Sequence, residues 1–334
     1  MALFSTLRTG LTNTISLTQQ LVEDLTDHGF SVIHPLNYVP SERPNVTTLT
    51  VTLVCTPDAD PLANTQPWTI TLWAENSVRL RVFVSTPLQI TSTTGLPVTI
   101  QPSGFNGTDS RYYAGEIANR NYNTAGSGPN INDDASFCFL HRFNRNSAFP
   151  MNYRLTVTSY GVFVGVYEGN WSSLHVEPGY TYSNYFNWFL VQRPVNKTTG
   201  APLITGRCPV FALSGVNNTY RRLVVREADV PHPAPSIMAD ISSEDGFKLI
   251  NSQIQNAVTE NKKYIVSFPS NLNTPRFRYT EELDMIAITS ADVVSEGTNI
   301  TLDVYGEERV YTALPCNRQF NTGMRPLVLT NIIS

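Results

Sequence analysis

The sequence predicts a mainly β protein. It reads as a β-rich α+β chain of antiparallel sheets or a sandwich, with an N-terminal helix and one further amphipathic helix in the C-terminal part. Three observations carry this. Charged residues make up 15% of the 334, against roughly 25% in an ordinary globular domain, and Asn, Thr, Ser, Pro and Gly fill the difference. Those residues favour strands and turns over long helices. Segments alternating apolar and polar residues recur along the chain, whereas a helical stripe occurs at two places.

The first stripe lies near residues 11–27, where Leu11, Ile15, Leu21, Val22 and Leu25 share one face. "DHGF" closes it, with Gly29 as a left-handed cap, and "FSVIHP" leads away as a short strand. The expected order at the entry to the fold is therefore helix first, strands after. From Val46, "VTTLTVTLVC" alternates Thr with Leu or Val as a half-buried strand does. "WTITLWA" and "VRLRVFV", separated by "ENS", predict a hairpin over Trp68–Val84. Residues 101–135 are rich in Gly, Asn, Asp and Ser, and "NYNTAGSGPNINDD" has the least structural signal of all.

"YGVFVGVYEGNW" spaces Gly161, Gly165 and Gly169 four apart, a pattern that lets apolar helices touch in a membrane. Val162–Tyr167 is too short to span a bilayer and too β-branched for a soluble helix. A hairpin fits instead. Tyr153, Leu155 and Val157 alternate with Arg154, Thr156 and Thr158, predicting a first strand with one wet face. "SYG" makes the turn, and the second strand is apolar on both faces, so it is central or covered. Gly165 in that strand marks a close approach by a neighbour.

"NKTTGAPLITGRCP" has linker chemistry and sets a soft boundary near Asn196. It divides an N-terminal helix plus β-rich domain (1–195) from a C-terminal β-rich α+β domain (196–334). Beyond it, "VFAL", "YRRLVVRE", "KKYIVSFP", "MIAITSADVV", "NITLDVYG" and "RPLVLTNI" read as strands. The second helix is expected over about Ser243–Val258, with Phe247, Ile250, Ile254 and Val258 as its stripe.

Catalytic chemistry finds little footing. No nucleophile elbow, phosphate-binding loop or dinucleotide fingerprint is present. The histidines (His28, His34, His141, His175, His232) stand alone, and Cys55, Cys138, Cys208 and Cys316 are scattered, reading as buried thiols. No catalytic, cofactor-binding or metal residue is assigned, and no cofactor is expected. Glu281, Glu282 and Asp284 in "YTEELDM", and Asp133 and Asp134, offer paired acids such as a glycosidase uses. A solvated or arginine-pairing surface, with Arg276 and Arg278 as partners, is the plainer reading.

The net charge of −4 gives no basic surface for phosphates, so sequence-specific nucleic-acid binding is not expected. Four lysines (Lys197, Lys248, Lys262, Lys263) leave nineteen arginines among the 23 basic residues, which suits subunit contacts or reflects a compositional bias. The N-terminal residues lack the apolar block of a signal peptide and no run approaches the ~20 apolar residues of a membrane span. A soluble, cytoplasmically made protein without a membrane partner is expected, and its six N-x-S/T sequons read as chance. The densest local composition is "WSSLHVEPGYTYSNYFNWF", with Trp171, Tyr180, Tyr182, Tyr185, Phe186, Trp188 and Phe189. Such aromatics form a core lid, a protein interface or a sugar platform. Trp171, Tyr180, Tyr182, Tyr185, Trp188 and Gly165 are the candidate interface residues.

Across about residues 150–334, "YRLTVTSYGVFVGVYEGNW", "FNWFLVQRPVNKTTGAPLITGRCPVFAL", "RRLVVREADVPHP" and "YTEELDMIAITSADVV…TNITLDVYGEERVY" resemble virion structural proteins of large contractile-tailed bacteriophages. The resemblance implies a non-enzymatic subunit of the tail, neck or baseplate. Such a subunit is made in the host cytoplasm and assembles with copies of itself in a ring or stack and with other virion proteins. A tail terminator, a collar and a tube-associated subunit all fall within it. The alternatives are a capsid decoration protein and a carbohydrate- or receptor-binding virion protein.

Overall fold

The computed structural model describes residues 3–34, 38–42, 45–47, 49–56, 60, 68–76, 79–85, 89–90, 100–101, 113–114, 138–141, 150–168, 186–193, 195–196, 198–202, 210–214, 221–225, 237–240, 265–269, 281–290, 294–314 and 324–333. Among them strands predominate. The order opens with β1 (Phe4–Leu11), α1 (Thr14–Asp27), β2 (Phe30–His34), a 3₁₀ turn (Pro40–Glu42), β3 (Leu49–Cys55), β4 (Thr69–Asn76) and β5 (Arg79–Ser85). Four short strands follow: β6 (Gln89–Ile90), β7 (Ile100–Gln101), β8 (Tyr113–Ala114) and β9 (Cys138–His141). Then come β10 (Met151–Thr158), β11 (Gly161–Glu168), β12 (Phe186–Gln192), β13 (Val195–Asn196), β14 (Val210–Ser214), β15 (Arg221–Val225) and β16 (Ile237–Asp240). The last are β17 (Ile265–Pro269), β18 (Glu281–Ser290), β19 (Asn299–Val304), β20 (Glu307–Ala313) and β21 (Met324–Ile333).

These strands form three large antiparallel sheets. A seven-stranded sheet runs β1-β10-β11-β12-β14-β15-β16. An N-terminal sheet runs β2-β3-β4-β5-β8 with β9 also on β5, and a C-terminal sheet runs β13-β18-β21-β20-β19 with β17 on β18. The seven-stranded sheet draws strands from both sides of Asn196, since β12 pairs with β14. Both predicted hairpins are present: β4 lies antiparallel to β5, and β10 pairs with β11 from Met151↔Glu168 to Thr158↔Gly161.

The helix begins later than its stripe. Asn13 caps it: its side chain accepts from Ser16 N at 2.8 Å, and Ser16 Oγ accepts from Asn13 N at 3.1 Å. Gly29, at φ +90°, follows the end of the helix as expected. Leu11 belongs to β1, which corrects the helix-first order. Residues 4–11 have no clean alternation, and they become a strand by adding to the edge of β10.

The wet face predicted for β10 is also corrected. Met151, Tyr153, Leu155 and Val157 point into one core shared with α1, β3, β4 and β5. The opposite face is covered as well, by the C-terminal sheet. Thr156 is fully buried and its hydroxyl donates to Leu329 O at 3.0 Å, while Asn152 accepts from Gly10 N. Threonine looks solvated in a sequence pattern because its hydroxyl needs a partner, and here a main-chain carbonyl supplies one. The second strand, β11, is central and buried from Gly161 to Tyr167, as its two apolar faces require.

The second face depends on a bulge. The register of β17 on β18 steps once, Ser267 to Phe268, while β18 jumps from Ala287 to Leu283. Asp284 and Met285 lie in that jump and meet the seven-stranded sheet: Met285 N donates to Gln192 Oε1 at 3.1 Å, and Gln192 Nε2 donates to Asp284. Gly161 makes the approach possible, because a Cβ there would lie 2.6 Å from Val191 O and 2.7 Å from Met285 Sδ. The predicted helix over Ser243–Val258 and the loop segment "NYNTAGSGPNINDD" lie outside the described residues.

Gly161→Ala is expected to destabilise the fold by about 1–3 kcal/mol, since the backbone carbonyl of Val191 cannot swing away. Urea denaturation measures this, and an unchanged midpoint would show that the sheets separate freely.

Candidate functional site

Of the six candidate interface residues, two are described, and both sit inside the seven-stranded sheet. Gly165 lies directly between Arg154 of β10 and Trp188 of β12. Trp188 is 5% exposed and stacks on Phe163, ring centroids 6.0 Å apart. The cross-strand neighbours of Gly165 therefore belong to this chain. Trp171, Tyr180, Tyr182 and Tyr185 lie outside the described residues.

The acidic candidates divide in the same way. Glu281 and Glu282 begin β18, where their backbones pair with Asn196 and Val195, and Asp133 and Asp134 lie outside the described residues. Asp284 follows the arginine-pairing reading, with a different partner from the one expected. Arg309 Nη1 reaches it at 2.5 Å, Tyr311 donates to its main-chain carbonyl at 2.6 Å, and Glu307 holds Arg309 from the other side at 2.9 Å. Burial opposes the Arg309 charge, but the hydrogen bond and charge of Asp284 outweigh it and push its pKa up. Arg276 and Arg278 lie outside the described residues.

Two further arginine–carboxylate pairs are marked by no sequence motif. Arg8 of β1 grips Asp24 of α1 through two nitrogens, Nε at 2.9 Å and Nη2 at 2.5 Å, and the Tyr153 hydroxyl donates to the same carboxylate. The Asp24 hydrogen bond holds Arg8 above its usual range, and burial followed by that same carboxylate pushes the Tyr153 phenol up. The second pair, Arg193 with Asp60, is completely buried on both sides. Trp68 Nε1 donates to the same Asp60 oxygen at 3.0 Å, and Arg193 N donates to Tyr160 O at 2.8 Å. This network ties the segment after β3 to the chain leaving β12. Fork-shaped guanidinium groups suit such buried pairing better than lysine does. Partners separated by 133 positions leave no local signal.

Among the described residues the remaining nucleophile and ligand candidates form no site. Cys55 is buried, which pushes its thiol up and out of the reactive range. His28 stacks on Phe4 at 3.4 Å, His34 and His141 lie in β2 and β9, and His175 and His232 are outside the described residues. Among the described residues no group of three or more His, Cys, Asp or Glu is placed to hold a metal ion, and no helix is long and apolar enough to cross a membrane.

Outward-facing features among the described residues include two sheet edges and several exposed apolar side chains. No described strand continues the seven-stranded sheet past β1 or the C-terminal sheet past β19. Leu7 in β1 is 40% exposed and Ile333 at the end of β21 is 46% exposed. Along β19, Asn299, Thr301 and Asp303 face solvent while Ile300, Leu302 and Val304 are half-buried over the C-terminal core. Comparison with known protein families and with curated proteins finds no match to this sequence.

Asp60→Asn or Arg193→Met alone should each cost about 3–5 kcal/mol in urea unfolding, because each strands a buried charge or its dipoles. The double variant is expected to recover a substantial part of that loss. A second expectation concerns alkaline pH. Burial pushes the Tyr167 phenol up to about 12 and the Tyr153 phenol also up. Both favour the folded state fully below the ordinary tyrosine range, near 10, and that contribution is lost as pH rises toward and through the folded values. The unfolding midpoint should fall as pH rises from about 10 to 12, with part of the fall removed in Tyr167→Phe.

Proposed function

We propose that the chain is a non-enzymatic structural subunit of a tailed-phage virion, assembling symmetrically in the tail or neck. The observation that carries this reading is the resemblance of the strand-bearing segments from about residue 150 onward to contractile-tail virion proteins. The architecture supports it in two respects. The described carboxylates Asp24, Asp60 and Asp284 are each engaged by an arginine that joins separate elements, which suits a rigid building block. The sheets also end on strands β1 and β19, whose outer edges no described strand covers.

A subunit of this kind works by burying surface against copies of itself and against other virion proteins. Its association energy would scale at roughly 25 cal/mol per Å² of apolar surface before ordering costs. Trp188 lies within the sheet, so a sugar platform would have to be built from other aromatics of the Trp171–Phe189 segment.

Mass spectrometry of purified particles, with electron microscopy of the purified protein, tests the proposal. The chain should be found in intact virions at a copy number that is a multiple of the ring symmetry. Its absence from washed particles would overturn the reading, and location on the capsid shell would favour the decoration alternative.

A further inference from the structure

We infer that β19 is a self-pairing edge through which two copies of this chain join, antiparallel and two-fold symmetric, with Thr301 on the axis. The inference goes beyond the proposed function and does not depend on it.

The main-chain geometry comes first. β19 and β20 are joined by Tyr305-Gly306, both at positive φ (56° and 78°), the signature of a two-residue type I′ hairpin. In such a hairpin the closing pair, here Val304 and Glu307, is hydrogen-bonded, and hydrogen-bonded pairs recur at every second residue. Ala313 N donating to Thr298 O at 2.9 Å fits the same parity. Ile300, Leu302 and Val304 therefore direct their N–H and C=O groups at β20. Asn299, Thr301 and Asp303 aim theirs at the open edge.

Natural sheets usually blunt such an edge with a bulge, a proline or a lysine. β1 has a register shift between Arg8 and Leu11, and β2 has one between Val32 and His34. β19 has none of these devices: its register with β20 is unbroken from Asn299↔Thr312 to Val304↔Glu307. It offers a straight template for another strand.

The side chains say which strand fits. Laid antiparallel on itself about Thr301, the segment Asn299–Asp303 places Asn299 opposite Asp303, Ile300 opposite Leu302, and Thr301 opposite Thr301. Residues directly opposite share a face, so the exposed row stays polar and the half-buried row stays apolar. Asn299 Oδ1 is already occupied by the Thr312 hydroxyl at 2.9 Å, leaving its amide hydrogens to donate to the partner's Asp303 carboxylate, whose Oδ1 in each copy also accepts from Gly306 N at 3.0 Å. The acceptor end and the donor end of each strand thus meet their opposites, and no like charges face each other. The apolar row would extend the core that already contains Ala287, Tyr311 and Leu327 across the two-fold axis.

Thr301→Cys tests this directly. In the inferred register the two introduced thiols face each other, with their Cα atoms about 5.5 Å apart and within disulfide range. Mild oxidation should give a disulfide-linked dimer that wild type and a Glu308→Cys control on β20 do not form. Thr301→Lys sets two ammonium groups face to face and should weaken self-association at least about tenfold in sedimentation. Its circular dichroism should be unchanged, because Thr301 is exposed. A wild-type chain that stays monomeric at high concentration overturns the inference. So does an oligomer that is indifferent to Thr301→Lys and forms no cross-link in the Thr301→Cys variant.

Discussion

The constraint on which the rest of the structure depends is that both faces of the β10–β11 hairpin lie against other parts of the chain, with Arg154 and Thr158 left half-buried. One side of it closes the core beneath α1 and the N-terminal sheet, and the other lies against the C-terminal sheet. A sheet strand buried on both faces must give every polar side chain a partner, or pay about 1–3 kcal/mol for each group left unpaired. This explains why Asn152, Thr156 and Gln192 reach Gly10 N, Leu329 O, and the Asp284–Met285 bulge respectively. The polar row of β10 acts as the joint between sheets, and Gly161 sets how closely they approach.

The ion pairs extend the same logic to the loops. Each of Arg8, Arg193 and Arg309 crosses from one element to another, and the Asp60 pair does so with no exposed surface. Burying such a pair gains little net stability over an apolar contact, because desolvation offsets the Coulomb attraction. Its effect is directional: a guanidinium fork accepts one arrangement of its carboxylate. The arginine bias of the sequence is thus used, at least in these three places, to fix how parts of one chain meet.

Local signals are legible where local physics suffices. The period-two segments at Leu49–Cys55, Thr69–Asn76 and Tyr153–Thr158 appear as strands, and Gly29 follows the helix with positive φ. Several elements escape such reading, β1 and β20 among them. β1 carries no pattern of its own and exists because β10 offers an edge. β20 is hard to see although "VYGEE" holds a turn signal, since tyrosine at a left-handed position costs about 1 kcal/mol and is rarely chosen. The cost is offset by contact: the Tyr305 ring packs against Gly200, and Arg309 lies over it at 5.4 Å. Of the candidate interface, Trp188 and Gly165 are interior, because aromatic density marks burial without saying against what.

By itself the sequence determined that this is a chain of antiparallel strands with a capped N-terminal helix, and which side chains of β10 and β11 are apolar. These are consequences of spacing along the backbone, and spacing is what a sequence records. Only the tertiary structure decided that Thr156 of β10 is buried, that Asp284 pairs with Arg309 and Asp60 with Arg193, and that β19 offers an open edge among the described residues. Those outcomes depend on which surfaces meet across intervals of tens to hundreds of residues, and hydroxyl and guanidinium groups are equally at home in water and in a satisfied interior.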